Sequence, residues 1–169
     1  ISYNTVPAQL LMMMGFDLSY NYLTEQFHIT SYSDSIDSTS PSALATGGSS
    51  GGVTTLQMAA AFASFGNGGK YYKPYCYYEV KDNKGEVILQ KKADDEYEQI
   101  ISPDTAYVMN QMLQTVFYGS GGTARGYAVA NHRTFGKTGT TTSNKDRWCV
   151  AGTSHYMAAV WFGYDYNKQ

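Results

Sequence analysis

Phe135-Gly136-Lys137-Thr138-Gly139-Thr140-Thr141 sets one lysine and three threonines around two glycines, at the end of a run that reads as a β-strand. Glycine in such a place lets another molecule approach the backbone, and lysine and threonine side chains can hold a carboxylate. A Thr-rich edge strand with a solvated lysine would show the same residues, so the motif has to be weighed with its surroundings. Downstream, 147–153 and 156–164 also read as strands. With 134–141 they form three runs, joined by polar turns short enough to connect antiparallel neighbours.

Upstream, Ser102-Pro103-Asp104 is a helix start, and Ala106, Met109, Leu113 and Val116 fall on one stripe that ends at Gly119. A glycine-broken loop, 119–126, links that helix to the first strand. Residues 71–80 and 86–90 read as a hairpin whose turn, Asp82-Asn83-Lys84-Gly85, rests on the Asn and Gly. The acidic run Asp94, Asp95, Glu96 and Glu98 reads as a solvated connector. Thr54 with Gln57 predicts a capping box, followed by a helix apolar on both faces and therefore expected to be buried. A first helix is predicted over 5–15, capped by Asn4 or Thr5 and stopped at Gly15, and a second over about 18–28. Composition would make 30–53 a flexible Ser/Thr/Gly linker. The fold class is α+β: one antiparallel sheet flanked by helices.

The bulk properties exclude several functions. At 169 residues the chain is one domain in size. Its 12 basic and 14 acidic residues show no basic stripe, so no nucleic acid partner is expected. Cys76 and Cys149 form no CxxC, and His28, His132 and His155 have no ligand spacing. No metal and no cofactor are expected. The longest apolar stretch, 10–16, is far short of the roughly 20 residues that cross a bilayer.

Ser2-Tyr3-Asn4 stands just before the first helix start. In that order, Ser-x-Asn and Lys-Thr-Gly resemble two of the three motifs of the penicillin-recognising serine enzymes, whose first motif is Ser-x-x-Lys. The stretch 43–69 and the segments GKTGTT, DRWCVAGTS and AVWFGYD resemble the transpeptidase domain of class A penicillin-binding proteins. The resemblance spans nearly the whole chain and implies the C-terminal part of a single β-lactamase/transpeptidase-like domain, α/β sandwich in type. It also implies that 41–53 is ordered beside the active site, with the first half of the linker more mobile.

On this sequence the resemblance assigns Ser2 as a proton relay and Asn4 as a holder of the incoming peptide's amide. Lys137 would supply positive charge to Ser2 and to the substrate carboxylate. Thr138 and Thr140, around Gly139, would bind that carboxylate, and the Thr140 backbone N–H would form half of an oxyanion hole. The implied substrates are peptidoglycan stem peptides and β-lactam antibiotics. The implied setting is extracytoplasmic and membrane-anchored.

None of the chain's lysines has a serine three residues before it, so Ser-x-x-Lys is missing. The expected source of the nucleophile is an upstream part of the same domain, on the same polypeptide or on a separate chain, together with the first strands and the nucleophile helix. This chain alone is expected to be inactive. Taken by themselves, Ser2 and Asn4 would be no more than a helix cap. A non-enzymatic sensor of cell-wall peptides would keep the same residues. An α/β-hydrolase using Ser50 in Gly48-Ser49-Ser50-Gly51-Gly52 lacks the β-branched strand that should feed such an elbow. A P-loop would need glycine where Asn131 stands.

Overall fold

In the computed structural model, residues 2–32, 40–49, 51–91 and 96–164 are described. Three antiparallel strands, β5 (Phe135–Thr140), β6 (Asp146–Gly152) and β7 (Met157–Gly163), form the main sheet in the order β5-β6-β7. Lys137 pairs with Val150 and Thr138 with Cys149, while Trp148 pairs with Trp161 and Cys149 with Val160. Side chains alternate between faces along a strand. Accordingly β7 alternates half-buried Met157, Ala159 and Trp161 with exposed Ala158, Val160 and Phe162.

The turn between β5 and β6 is closed by polar bonds. Asp146 N–H donates to Thr141 Oγ1 at 2.8 Å, and the Asp146 carboxylate accepts from Thr141 Oγ1 and Trp161 Nε1. The bond from the half-buried Trp161 indole gives that N–H a partner away from water.

Helix α5 (Pro103–Tyr118) starts as its sequence predicts: Ser102 Oγ accepts from Thr105 N–H, with Pro103 at the first position. Its buried residues are Ala106, Leu113, Val116 and Phe117, and it packs on β5. Val116 and Phe117 join Ala124, with Ala128 and Ala151 against them, in the central apolar cluster. Each fully buried large apolar side chain there contributes about 1.5–3 kcal/mol.

Helix α4 (Thr55–Ala63) has the full capping box, with Thr54 Oγ1 accepting from Gln57 N–H and Gln57 Oε1 accepting from Thr54 N–H. The expectation that α4 is buried all round is not met. Ala61 is its one buried residue among those described, and Leu56 is 63 % exposed. The helix lies across β6 and β7, and a helix on one layer covers one side only.

The amino-terminal helices are α1 (Thr5–Met14) and α2 (Phe16–Asn21), separated by Gly15 at φ +91°. The second helix thus begins before the expected residue 18. It continues as a π-helical turn, Tyr22–Gln26, in which Phe27 N–H reaches back five residues to the Tyr22 carbonyl. Tyr22 Oη ties this turn to the Ile100 carbonyl at 2.8 Å. A short helix α3 (Pro41–Thr46) packs on α1, so composition alone misjudges this part of the linker. Residues 33–39 and Ser50 lie outside the described residues.

The run 71–80 is not one strand. Strand β1 (Lys70–Tyr71) pairs with β4 (Glu98–Gln99), and β2 (Glu79–Lys81) pairs with β3 (Val87–Gln90). Pro74 lies between them and has no N–H to give a ladder. The hairpin turn depends on Asp82 more than on Asn83: its Oδ1 accepts from Lys84 N–H at 2.8 Å and Glu86 N–H at 2.9 Å. Gly85 supplies the positive φ. Of the acidic run, Glu96 bonds to Lys91 and Glu98 to His28. Asp94 and Asp95 lie outside the described residues.

Candidate active site

Strand β5 carries Lys137 half-buried, with its ammonium aimed at the amino-terminal segment. Lys137 Nζ donates to Ser2 Oγ at 2.8 Å and to the Thr138 carbonyl at 2.7 Å. Residues 135 positions apart in sequence therefore meet through one hydrogen bond. Burial pushes the Lys137 amine below its ordinary value, because loss of water disfavours the charged form.

Asn4 occupies the cap position of α1, with its carbonyl accepting from Ala8 N–H at 3.2 Å. Its carboxamide makes no capping bond, and the residue is exposed. A helix cap is therefore not what occupies this side chain.

Thr138, Gly139 and Thr140 follow Lys137 along β5. Thr138 Oγ1 lies 2.6 Å from Thr123 Oγ1, which belongs to the loop after α5. Thr140 is exposed at the strand's end, paired with Arg147. Gly136 has a steric reason for being glycine: a Cβ there would collide with the Val150 carbonyl oxygen. At Gly139 a Cβ would sit 3.3 Å from that of Trp148. The structure thus joins Lys137 to Ser2, puts Asn4 two residues beyond and sets Thr138 and Thr140 along the same strand.

Thr123 is the residue that the sequence reading passed over. The loop 119–126 reads as generic glycine-rich chain, and no spacing links Thr123 to Thr138. A cavity of about 620 Å³ lies elsewhere, at the opposite end of the sheet, lined by Val129, His132, Thr134, Ala151, His155 and Tyr156. It contains none of the motif residues. Ligand chemistry needs converging polar groups, and those lie along β5. Among the described residues no cluster of three or more metal-ligating side chains exists.

Solved structures share this architecture. Penicillin-binding protein 1A from Haemophilus influenzae superimposes with a TM-score of 0.78 at 24% identity, over 99% of this chain and 29% of that one. The D,D-transpeptidase domain of a peptidoglycan glycosyltransferase from Eggerthella lenta gives a TM-score of 0.71 at 23% identity, over 95% of this chain and 45% of that one. Such similarity establishes the fold as that of penicillin-binding transpeptidase domains.

The sequence matches the penicillin-binding protein transpeptidase domain family over residues 2–169, and the chain belongs to that family. It is 33% identical to penicillin-binding protein 1A of Clostridium novyi over 99% of this chain and 19% of the relative. To penicillin-binding protein 4 of Bacillus subtilis it is 34% identical over 97% of this chain and 25% of the relative. The chain thus spans about a fifth to a quarter of the length of these curated relatives.

Proposed function

We propose that this chain supplies the Ser-x-Asn and Lys-Thr-Gly walls of an extracytoplasmic, membrane-anchored D,D-transpeptidase active site. That enzyme cross-links peptidoglycan stem peptides and is acylated by β-lactams. The observation that carries the reading is the 2.8 Å bond from Lys137 Nζ to Ser2 Oγ. The half-burial of Lys137 supports it, since a charge with less water around it acts more strongly on the Ser2 hydroxyl and on a bound carboxylate.

The nucleophilic serine comes from polypeptide outside this chain, most economically the preceding part of the same domain. Its hydroxyl oxygen attacks the scissile amide carbon, and Ser2, steadied by Lys137, passes the proton on to the departing amine. The C–N bond breaks and an acyl-serine remains for the acceptor amine. Lys137, Thr138 and Thr140 hold the donor's carboxylate, Asn4 holds the peptide amide, and the Thr140 N–H stabilises the oxyanion. Without the nucleophile, the 169 residues form no acyl-enzyme.

The test is covalent labelling of the full-length protein with a fluorescent penicillin. Labelling separates the enzyme from a sensor that binds wall peptides without acylation. Lys137→Ala is expected to slow labelling by roughly two to four orders of magnitude. Labelling of that variant at the unmodified rate removes Lys137 from the mechanism.

A further inference from the structure

We infer that Thr123 is a positioning residue for the transpeptidation site: its hydroxyl donates to Thr138 Oγ1 and so leaves the Thr138 proton free for the substrate carboxylate. The inference rests on the reading of Thr138 given above. The two oxygens are 2.6 Å apart, at the short end for O–H···O bonds. A hydroxyl has one proton to give and two lone pairs to receive with. When a carboxylate draws the Thr138 proton, the bond to Thr123 survives only with Thr123 as donor. A chain of two hydroxyls ending on an anion then polarises in one direction, which strengthens both bonds.

The loop is built to hold Thr123 in place. Ala124 beside it is 6 % exposed, within the cluster of Val116 and Phe117, and its N–H donates to the Val116 carbonyl at 3.0 Å. On the other side Gly122 N–H donates to the Gly119 carbonyl at 3.0 Å. A Cβ at Gly122 would collide with the Val116 carbonyl oxygen. Both neighbours of Thr123 are thus fixed on the carboxyl end of α5, and α5 itself is packed on β5. The backbone of Thr123, an exposed residue, is thereby held where its hydroxyl meets β5.

The experiment measures acylation of the full-length protein by benzylpenicillin and by its methyl ester, which lacks the carboxylate, in competition with a fluorescent penicillin. Thr123→Val keeps the shape and removes the hydroxyl. It is expected to slow acylation by the acid roughly tenfold while changing the ester far less, and Thr123→Ser is expected to restore the acid to within about threefold. Thr138→Val, run alongside, should show the same selective loss. An unchanged Thr123→Val beside an impaired Thr138→Val overturns the inference and leaves the site reading intact. Equal slowing of acid and ester by Thr123→Val, without rescue by serine, shows a merely structural role and also overturns it. If neither variant separates acid from ester, the assignment of Thr138 itself fails.

Discussion

At Lys137 two effects oppose each other. Burial disfavours the ammonium, while Ser2 Oγ and the Thr138 carbonyl accept its protons. The burial effect is larger, so the amine titrates below the ordinary lysine value of 10.5. Below both values the folded protein carries a poorly hydrated cation, at a cost in stability. Between them the unfolded chain binds more protons, so stability rises with pH; above 10.5 the cost is gone. Lys137→Met has no such titration. Relative to that variant, the unmodified protein is expected to gain stability as pH climbs from neutral through this window, read as the difference in urea midpoints. A difference that stays flat or shrinks would mean that burial does not govern this lysine. The candidate residues were readable from the sequence because Ser-Tyr-Asn and Lys-Thr-Gly are contiguous triplets. Thr123 was not, since its importance lies in a contact to Thr138 across 15 positions.

Single elements followed local rules where local bonds decide them. The capping box of Thr54 and Gln57 and the Ser102 cap of α5 form as the sequence predicts, because donor and acceptor lie within one helical turn. Thr54→Ala is expected to cost about 1 kcal/mol in a urea unfolding experiment, and Thr54→Gly less, since glycine is itself tolerated at a cap. An unchanged midpoint for Thr54→Ala would mean that the side-chain oxygen is not what holds α4. Strand pairing was less legible. The tyrosine-rich run 71–80 looked continuous from β propensity, but Lys70–Tyr71 joined Glu98–Gln99 instead of extending into the hairpin. Which residues pair depends on partners that propensity does not see.

The described residues leave β7 with a single strand neighbour, β6. Its outward side chains include Val160 at 60 % and Phe162 at 71 % exposure. A strand with unpaired backbone groups and exposed apolar side chains is a template for another chain. The isolated 169-residue chain is therefore expected to self-associate with rising concentration in sedimentation experiments, and Val160→Lys to suppress this. A monomer at all concentrations would show that the edge is protected in some other way.

The sequence by itself determined the α+β class, the three antiparallel carboxyl-terminal strands, both capped helices and the family, because these follow from short-range periodicity, local capping bonds and contiguous motifs. The resemblance led to the expectation that Lys137 acts on Ser2, but the tertiary structure alone decided the direct bond between them, that Thr123 meets Thr138 and that α4 covers the sheet with one side only. Those outcomes depend on how packed layers bring distant segments within hydrogen-bonding range, and side-chain order along a chain carries no record of distances across a fold.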